Sequence, residues 1–170
     1  GLSAARDRSV ERCVDRAHRM GQPMSLRIAP ASAEEKDKWL SLWGGYLEFY
    51  RTNLADEITD LTWARCLDPA EPMYMLAAKD GGQWRGFAIF VLHRSTWARD
   101  NYCYLEDLFT APEARGKGIG AQLIEAGADL ARTYGCSRYY WLTEDSNRTA
   151  QALYDKIARK SGFIQYVKPL

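Results

Sequence analysis

The chain has 170 residues and a mass of 19.4 kDa, which suits one well-buried domain and is short for two. Its 23 basic and 22 acidic residues leave a net charge of +1, so no global positive field attracts a nucleic acid backbone. The composition, with 46% hydrophobic residues and no run of about 20 apolar residues, excludes a disordered chain and a transmembrane helix. We therefore expect a soluble protein whose partners are neither nucleic acid nor membrane.

Residues 1–23 differ from the rest of the chain because arginine recurs through a polar segment. We predict an N-terminal extension over residues 1–23, either a surface helix or a partly disordered arm. A basic arm that binds a partner or nucleic acid is the alternative interpretation. A single domain is expected over residues 24–170.

Cysteine and histidine usage limits the metal and redox chemistry that is open to this chain. Four widely spaced cysteines form no CxxC pair, and no secretory signal precedes them, which predicts reduced thiols in a cytoplasmic protein. The two histidines supply too little imidazole for a His-rich metal site, so we expect no metal. These residues are Cys13, Cys66, Cys103, Cys136, His18 and His93.

The first elements after residue 23 alternate between strand and helix. Ser25–Ile28 is predicted as a strand, and Ser32 as the N-cap of an amphipathic helix that continues to Leu47. Gly44 and Gly45 are expected to bend or break that helix. A second helix over Ile58–Leu67 is expected to end before Pro69.

Three strand-like runs follow, and the first two form a predicted hairpin. Met73–Ala78 and Gly86–Leu92 are joined across an Asp-Gly-Gly turn, and Tyr102–Thr110 is a third apolar run. A helix from Ile119 carries apolar residues at spacings of three and four, and Gly135 suits its C′ position.

The last third of the chain completes an α/β or α+β fold with a central mixed sheet. Ser137–Thr143 is predicted as a strand that closes a right-handed βαβ unit. Asn147 is a suitable N-cap for the next helix. Phe163–Lys168 is predicted as the final strand of the sheet.

The segment Arg115-Gly116-Lys117-Gly118-Ile119-Gly120 lies between a strand and a helix. Glycines let backbone amides approach a ligand, and a helix N-terminus with two basic side chains favours an anion. A tight turn could require glycine for steric reasons alone. The spacing matches neither G-x-x-x-x-G-K-[ST] nor G-x-G-x-x-G, so neither ATP nor NAD is favoured.

This segment resembles the acetyl-CoA loop of the GNAT superfamily of N-acetyltransferases, whose pattern is Q/R-x-x-G-x-G/A. Arg115, Gly118 and Gly120 match that pattern. Tyr104–Thr110 is similar to the fourth strand of the family, and Asn147 followed by Tyr154 is similar to its later cofactor and acid motif. The motifs look most like the small-amine branch that includes spermidine/spermine and thialysine acetyltransferases, and they imply a mostly antiparallel sheet, splayed at the acetyl-CoA strand pair.

The resemblance implies direct transfer of an acetyl group from acetyl-CoA to the primary amine of a small molecule, in a homodimeric enzyme. It implies that the cofactor is held by the backbone of the strand end, by the glycine loop and by the later motif. The corresponding residues are Leu108, Phe109, Thr110, Arg115, Gly116, Lys117, Gly118, Ile119, Gly120, Asn147 and Tyr154.

The match of Asn147 and Tyr154 to the later family motif implies that Tyr154 is the general acid, and a phenol can donate a proton to the departing thiolate. Its alternative role is a tyrosine on the apolar face of a helix with its hydroxyl at the rim. Asn147 is alternatively an N-cap only. Leu108 and Phe109 can also pack in the core while their backbone binds.

Glu106 and Asp107 are adjacent carboxylates, so they point to opposite faces of the strand unless a bulge intervenes. We expect Glu106 to be the better candidate for the base, and Asp107 to hold the substrate or the structure. A surface carboxylate or an ion pair with Arg115 is the alternative. Water is a further candidate for the base.

The resemblance implies that the first helical region lines the acceptor side, and its aromatic rings and carboxylate suit a cation. Its candidates are Tyr46, Glu48 and Tyr50. Phe49 and Trp97 suit either this role or ordinary core packing, whereas Trp39 and Trp43 are expected in the core.

Two other functions fit the same motifs. A regulatory module could bind acyl-CoA without turnover, and it would need neither Tyr154 nor the acidic pair. A protein or peptide N-acetyltransferase would present an open acceptor groove where a small-amine enzyme has a walled pocket.

Overall fold

The computed structural model describes residues 25–170, and the predicted N-terminal extension (1–23) lies outside them. One five-stranded sheet has its strands in chain order, and a connection from the fourth strand crosses over to a parallel fifth. The other neighbours are antiparallel, which confirms the mixed sheet and the βαβ unit. The strands are β1 (Leu26–Pro30), β2 (Met73–Asp80), β3 (Gln83–Arg94), β4 (Asn101–Thr110) and β5 (Arg138–Trp141).

Four α-helices accompany the sheet in residues 25–170: α1 (Lys36–Phe49), α2 (Asp56–Leu67), α3 (Ile119–Thr133) and α4 (Arg148–Ile157). A short 3₁₀ turn precedes α1, and a capping box joins Ser32 to Glu35 at its start. The expected break at Gly44 and Gly45 is wrong, because α1 continues through both. Gly45 instead lets the helix approach the sheet, since an added Cβ would lie 3.0 Å from the ring of Phe109.

Helices cover both faces of the sheet. On one face, α1 and α2 pack through stacked indole rings, with Trp39 and Trp43 at 5.1 Å and Trp39 and Trp63 at 5.3 Å. All three rings are buried, which confirms Trp39 and Trp43 as core residues. On the other face, α3 packs so closely that an added Cβ at Gly127 would lie 2.3 Å from the Phe90 ring.

The predicted turns rest on glycines with positive φ. Gly81 and Gly82, at φ 55° and 82°, join β2 to β3, which confirms the hairpin. Gly135, at φ 68°, follows α3 in the C′ position that the sequence predicts.

The predicted last strand over Phe163–Lys168 is wrong. Residues 158–170 contain neither helix nor strand, and every one of them is exposed. A strand-like pattern forms a strand only where an edge is available to pair with it, and this segment does not reach the free edge of β5 in its own chain. Within the described residues, no helix is long and apolar enough to cross a membrane.

Candidate active site

The strands β4 and β5 separate halfway along β4. Tyr102–Leu105 pair with Arg138–Trp141, and β5 then ends while β4 continues to Thr110. From Leu108 to Thr110 the backbone pairs with β3 only, so its other side is open. This split confirms the predicted splay and leaves backbone donors and acceptors of β4 free for an extended ligand.

The glycine loop brings the N-terminus of α3 to the open end of β4. Gly116 and Gly118 have φ values of 75° and 77°, and Gly118 is the residue that caps α3. The first helical amide to find a backbone partner is that of Gln122, which donates to the carbonyl of Gly118 at 3.1 Å. The preceding amides are therefore unpaired by the helix and can bind an anion.

Two observations show that this loop lies close to the end of β4. A Cβ at Gly120 would lie 3.9 Å from Oγ1 of Thr110, so the first turn of α3 is near the strand end but leaves room for alanine. The Arg115 Nε donates to the carbonyl oxygen of Thr110 at 3.3 Å. Buried Ile119 anchors the helix start, while Lys117 is exposed.

Arg115 lies on aromatic rings instead of pairing with the acidic residues of β4. Its guanidinium is 5.7 Å from the ring centroid of Phe109 and 5.9 Å from that of Phe49. Phe109 is buried, whereas Phe49 is 54% exposed and Trp97 is 78% exposed, so core packing is the wrong interpretation for these last two. The Arg115 charge thus remains available at the mouth of the split.

A β-bulge at Glu106 changes the direction of the residues that follow it. Leu105 pairs with Phe90 and Asp107 pairs with Ile89, so Glu106 is the extra residue. The bulge places Asp107 on the face covered by α1, where the Tyr46 hydroxyl donates to its Oδ1 at 2.5 Å. The predicted condition, a bulge between the two adjacent carboxylates, is therefore present, and the Glu106 charge acts on Asp107.

Burial gives Asp107 an unusual protonation equilibrium. It raises the pKa of this carboxyl to about 6, with help from the Glu106 charge, although the Tyr46 hydrogen bond acts in the opposite direction. Burial also raises the pKa of Glu106, which is the more exposed of the two. Burial and the Asp107 charge raise the pKa of Tyr46, so its phenol stays protonated.

Two of the three acceptor-side candidates on α1 lie together. The rings of Tyr46 and Tyr50 are 4.9 Å apart, and burial followed by the charges of Glu144 and Asp107 raises the pKa of Tyr50. Glu48 is exposed and lies about 200° around the helix from Tyr46. The structure therefore does not bring Glu48 to this group.

Tyr154 lies beside the point where β5 ends. Its ring is 5.4 Å from that of Trp141, the last residue of β5, and the side chain is half-buried. Burial, and then the charge of Tyr50, raise its pKa. Asn147 caps α4, because its Oδ1 accepts from the Ala150 amide at 3.2 Å.

An aromatic row for which the sequence predicted no role lies beside Glu106. Tyr104 and Tyr140 stack at 5.0 Å, and the Tyr140 hydroxyl lies 2.7 Å from Nε2 of His93. Burial and the Glu106 charge raise the pKa of Tyr104 to about 12. The alternation of Tyr102 and Tyr104 in β4 was the available signal, because residues two apart share a face.

The arrangement combines an anion-binding helix start, an open strand edge and a cluster of phenols with two carboxylates. The first two features suit a phosphate-bearing, extended ligand, and the cluster suits a cationic group. Residues 25–170 contain no group of three or more His, Cys, Asp or Glu side chains that could hold a metal ion.

Comparison with known proteins agrees with this geometry. The sequence profile of the acetyltransferase (GNAT) family matches residues 37–158. A D-amino-acid N-acetyltransferase of Saccharomyces cerevisiae is 35% identical over 144 residues, covering 82% of this chain and 89% of the relative. The thialysine N-epsilon-acetyltransferase of Sus scrofa is 36% identical over 75 residues, 44% of each chain.

A solved structure shares the fold. An aminoglycoside N-acetyltransferase in complex with CoA superposes with a TM-score of 0.75 at 17% identity, covering 88% of this chain and 98% of the other. The family profile matches most of the chain, and one named N-acetyltransferase is 35% identical to it over 82% of its length. The chain belongs to the GNAT family of acetyltransferases and is an acetyl-CoA-dependent N-acetyltransferase.

Proposed function

We propose that this enzyme acetylates the primary amine of a small, cationic molecule by direct attack on the thioester of acetyl-CoA. The observation that carries the proposal is the Tyr46–Asp107 pair, with its half-buried carboxylate on β4 just past the residues that pair with β5. The D-amino-acid and thialysine acetyltransferases similar to this chain act on small amines, as their names state. We extend the proposal to a cytoplasmic homodimer.

Cofactor binding is assigned to the backbone around the split. The amides from Arg115 to Gly120 bind the pyrophosphate, and the open edge of β4 at Leu108, Phe109 and Thr110 pairs with the pantetheine arm. The free amides at the start of α3 and the unpaired edge support this assignment. Lys117 adds charge at the same place, and Asn147 contributes from the start of α4.

Acceptor binding is assigned to the acidic and phenolic cluster. Asp107, with Tyr46, holds the ammonium group, and Tyr50 and Glu106 complete the cluster. Glu106, the more exposed carboxylate, receives the ammonium proton directly or through water. The acceptor must lose this proton because only the free amine has a lone pair for attack.

The transfer forms one C–N bond and breaks one C–S bond. The amine lone pair attacks the carbonyl carbon, and the sulfur departs with the electron pair. Tyr154 donates its phenolic proton to that sulfur, and the proton that the attacking nitrogen releases as the amide forms restores the phenol. Because burial raises its pKa, Tyr154 is protonated and able to donate at neutral pH.

A thiol-release assay with acetyl-CoA and a panel of amines tests the proposal. The panel contains D- and L-amino acids, thialysine, polyamines, aminoglycosides and peptides. We expect turnover with small cationic amines and none with peptides. Turnover of peptides alone would assign a peptide acetyltransferase, and binding of acetyl-CoA without turnover of any amine would assign a regulatory module.

The variant Tyr154→Phe tests the general acid. It should lower kcat by about 10²- to 10⁴-fold, the usual contribution of general acid catalysis, and leave the Kd of acetyl-CoA within about twofold. Tyr102→Phe is the matched control, because Tyr102 lies outside the proposed site on β4. Unchanged kcat in Tyr154→Phe would remove it as the acid.

A further inference from the structure

Phe49, the last residue of α1, presents a large apolar side chain on the surface of the protein. The residue is 54% exposed, so packing in the core does not account for it. Its ring centroid lies 5.1 Å from that of Tyr50 and 5.9 Å from the guanidinium carbon of Arg115. The second contact joins the end of α1 to the glycine loop, which is remote from it in sequence.

The packing of α1 on the sheet places Phe49 beside this loop. Gly45, one turn earlier, lets the helix approach Phe109, since an added Cβ would lie 3.0 Å from that ring. The Phe109 ring centroid is in turn 5.7 Å from the Arg115 guanidinium. The buried Phe109 and the exposed Phe49 therefore contact the same cation, one from β4 and the other from α1.

Arg115 keeps most of its hydrogen-bond donors free while these two rings hold it. Its Nε donates to the carbonyl oxygen of Thr110 at 3.3 Å, at the open end of β4. Its other four N–H groups have no acceptor within residues 25–170, and no carboxylate in that range forms an ion pair with it. A guanidinium that is held in place with a free fork of donors suits a phosphate group.

Lys117, the other basic side chain of the loop, lacks comparable support. It is exposed and makes no cation–π contact or ion pair with the residues that the structure describes. Lys117 must therefore lose conformational freedom when it binds an anion, whereas the two rings already restrict Arg115. Such preorganisation raises affinity without adding a contact to the ligand.

We propose that Phe49 is a positioning residue for the cofactor. Together with Phe109, it holds the Arg115 guanidinium beside the open end of β4, where this charge binds the pyrophosphate of acetyl-CoA. The inference rests on the proposed placement of the pyrophosphate at residues 115–120, and it adds the end of α1 to the cofactor site. Because Phe49 acts on a binding group, its loss should raise the KM of acetyl-CoA and leave kcat at saturation unchanged.

Calorimetry with CoA and with pantetheine, which lacks the pyrophosphate, tests the proposal. Phe49→Leu removes the ring but keeps an apolar side chain, so it should raise the Kd of CoA about three- to tenfold, as expected for one cation–π contact. The Kd of pantetheine, measured by competition with CoA, should not change. Phe49→Trp should bind CoA at least as tightly as the wild type, because an indole is a better partner for a cation.

Trp97→Leu is the matched control for the loss of an exposed ring. Trp97 is 78% exposed and lies between β3 and β4, at the opposite end of β4 from Thr110. Its substitution should leave the Kd of both ligands unchanged. Phe49→Leu should also change the Tm by less than about 2 °C, as expected for an exposed side chain.

A double-mutant cycle with Arg115→Gln shows whether Phe49 acts through Arg115. In the Arg115→Gln background, Phe49→Leu should have no further effect on the Kd of CoA, because the ring then has no cation to hold. Additive losses, equal losses for CoA and pantetheine, or an unchanged Kd in Phe49→Leu would overturn the inference and leave the proposed pyrophosphate site in place. An unchanged Kd in Arg115→Gln would overturn the inference together with the role of Arg115 in that site.

Discussion

Two carboxylates near opposite ends of α1 show how differently one fold treats the same chemical group. Glu35 precedes α1 and accepts hydrogen bonds from four donors: Lys79 Nζ at 2.6 Å, the Ser32 hydroxyl at 2.9 Å, the Ser32 amide at 3.0 Å and the Trp84 indole at 3.2 Å. Asp107 accepts one, from Tyr46. Both carboxylates are partly withdrawn from water.

The pKa values of the two groups move in opposite directions. Burial would raise the pKa of Glu35, but the hydrogen bonds from Lys79, Trp84 and Ser32 outweigh it and lower the value to about 2. Burial raises the pKa of Asp107 to about 6, because one donor and a neighbouring negative charge do not offset the loss of solvation. The four hydrogen bonds of Glu35 indicate a structural role, whereas the raised pKa of Asp107 supports the proposal that this carboxylate binds the cationic acceptor.

The largest effect is expected from Glu35→Ala. The side chains of Glu35 and Lys79 are only 13% and 14% exposed, so the substitution leaves a poorly solvated ammonium without its partner. We expect a loss of about 3–5 kcal/mol in the free energy of unfolding, measured by urea denaturation at pH 7. Glu34→Ala, at an exposed neighbouring position, should cost less than about 0.5 kcal/mol.

A result of equal stability in these two variants would contradict the structural role of Glu35. Catalysis per folded molecule should be unchanged in Glu35→Ala, because Glu35 lies away from the β4–β5 split. This second readout separates the two carboxylates, since Asp107 is expected to show the reverse pattern.

Asp107→Asn should lower kcat/KM for a cationic acceptor by about 10- to 100-fold, equivalent to one charge-assisted hydrogen bond of about 1.5–3 kcal/mol. The free energy of unfolding at pH 8 should not fall, because an amide costs less to bury than an ionised carboxyl and still accepts from Tyr46. Steady-state kinetics together with urea denaturation check both statements. An unfolding free energy lowered as much as in Glu35→Ala would make Asp107 a structural residue.

Local signals predicted most of the fold, and long-range packing accounts for the errors. The hairpin turn, the Asn147 cap and the start of α3 depend on neighbouring residues, so the pattern was sufficient for them. The continuity of α1 through Gly44 and Gly45 depends on the fit against Phe109, which no local pattern encodes. The failure at Phe163–Lys168 has the same origin, because a strand needs a partner edge.

The site shows the same division between local and long-range information. The glycine loop was readable because its chemistry is consecutive in sequence. The pairing of Asp107 with Tyr46 spans 61 positions and depends on the bulge at Glu106, so only the possibility of a bulge was available from sequence. Glu48 was predicted because its carboxylate suits a cation and its helix lines the acceptor side in relatives, but helical geometry turns it away from Tyr46.

The catalytic contribution of Asp107 should depend on pH. Asp107 must be ionised to hold a cation, so the ratio of kcat/KM in the wild type to that in Asp107→Asn should rise through about pH 6, roughly tenfold between pH 5 and 7. The ratio cancels the ionisation of the amine itself. A ratio that is independent of pH would exclude Asp107 as the titrating group.

Stability should depend on pH with opposite signs at the two carboxylates. The folded-state pKa of Asp107 is raised from 3.8, so its contribution to the free energy of unfolding falls as pH rises from about 4 to about 6. The folded-state pKa of Glu35 is lowered from 4.5, so its contribution is present above about pH 4.5 and is lost as pH falls toward 2. Urea denaturation of the Asp107→Asn and Glu35→Ala variants from pH 3 to 7 checks the two slopes.

The smallest effect is expected from Tyr46→Phe, which removes the single hydrogen bond to Asp107 and keeps the ring that packs on Trp43 and Tyr50. At pH 8, where Asp107 is ionised with or without this bond, kcat/KM should fall only about threefold, as expected for one modest hydrogen bond. The informative quantity is the pH profile. Because the Tyr46 hydrogen bond lowers the pKa of Asp107, its loss should move the inflection to a pH above 6.

Tyr50→Phe provides the matched comparison for this shift. Tyr50 lies against Tyr46, but the hydrogen bond to Asp107 comes from Tyr46, so the inflection in Tyr50→Phe should stay near pH 6. An unmoved inflection in Tyr46→Phe would show that the bond does not control the protonation of Asp107. A shift in Tyr46→Phe alone would mean that the Tyr46 hydroxyl controls the protonation of Asp107. This one hydrogen bond would then hold the pKa of Asp107 between that of Glu35, which has four donors, and that of a buried acid with no donor. It would thereby determine the pH at which the proposed cation-binding carboxylate becomes charged.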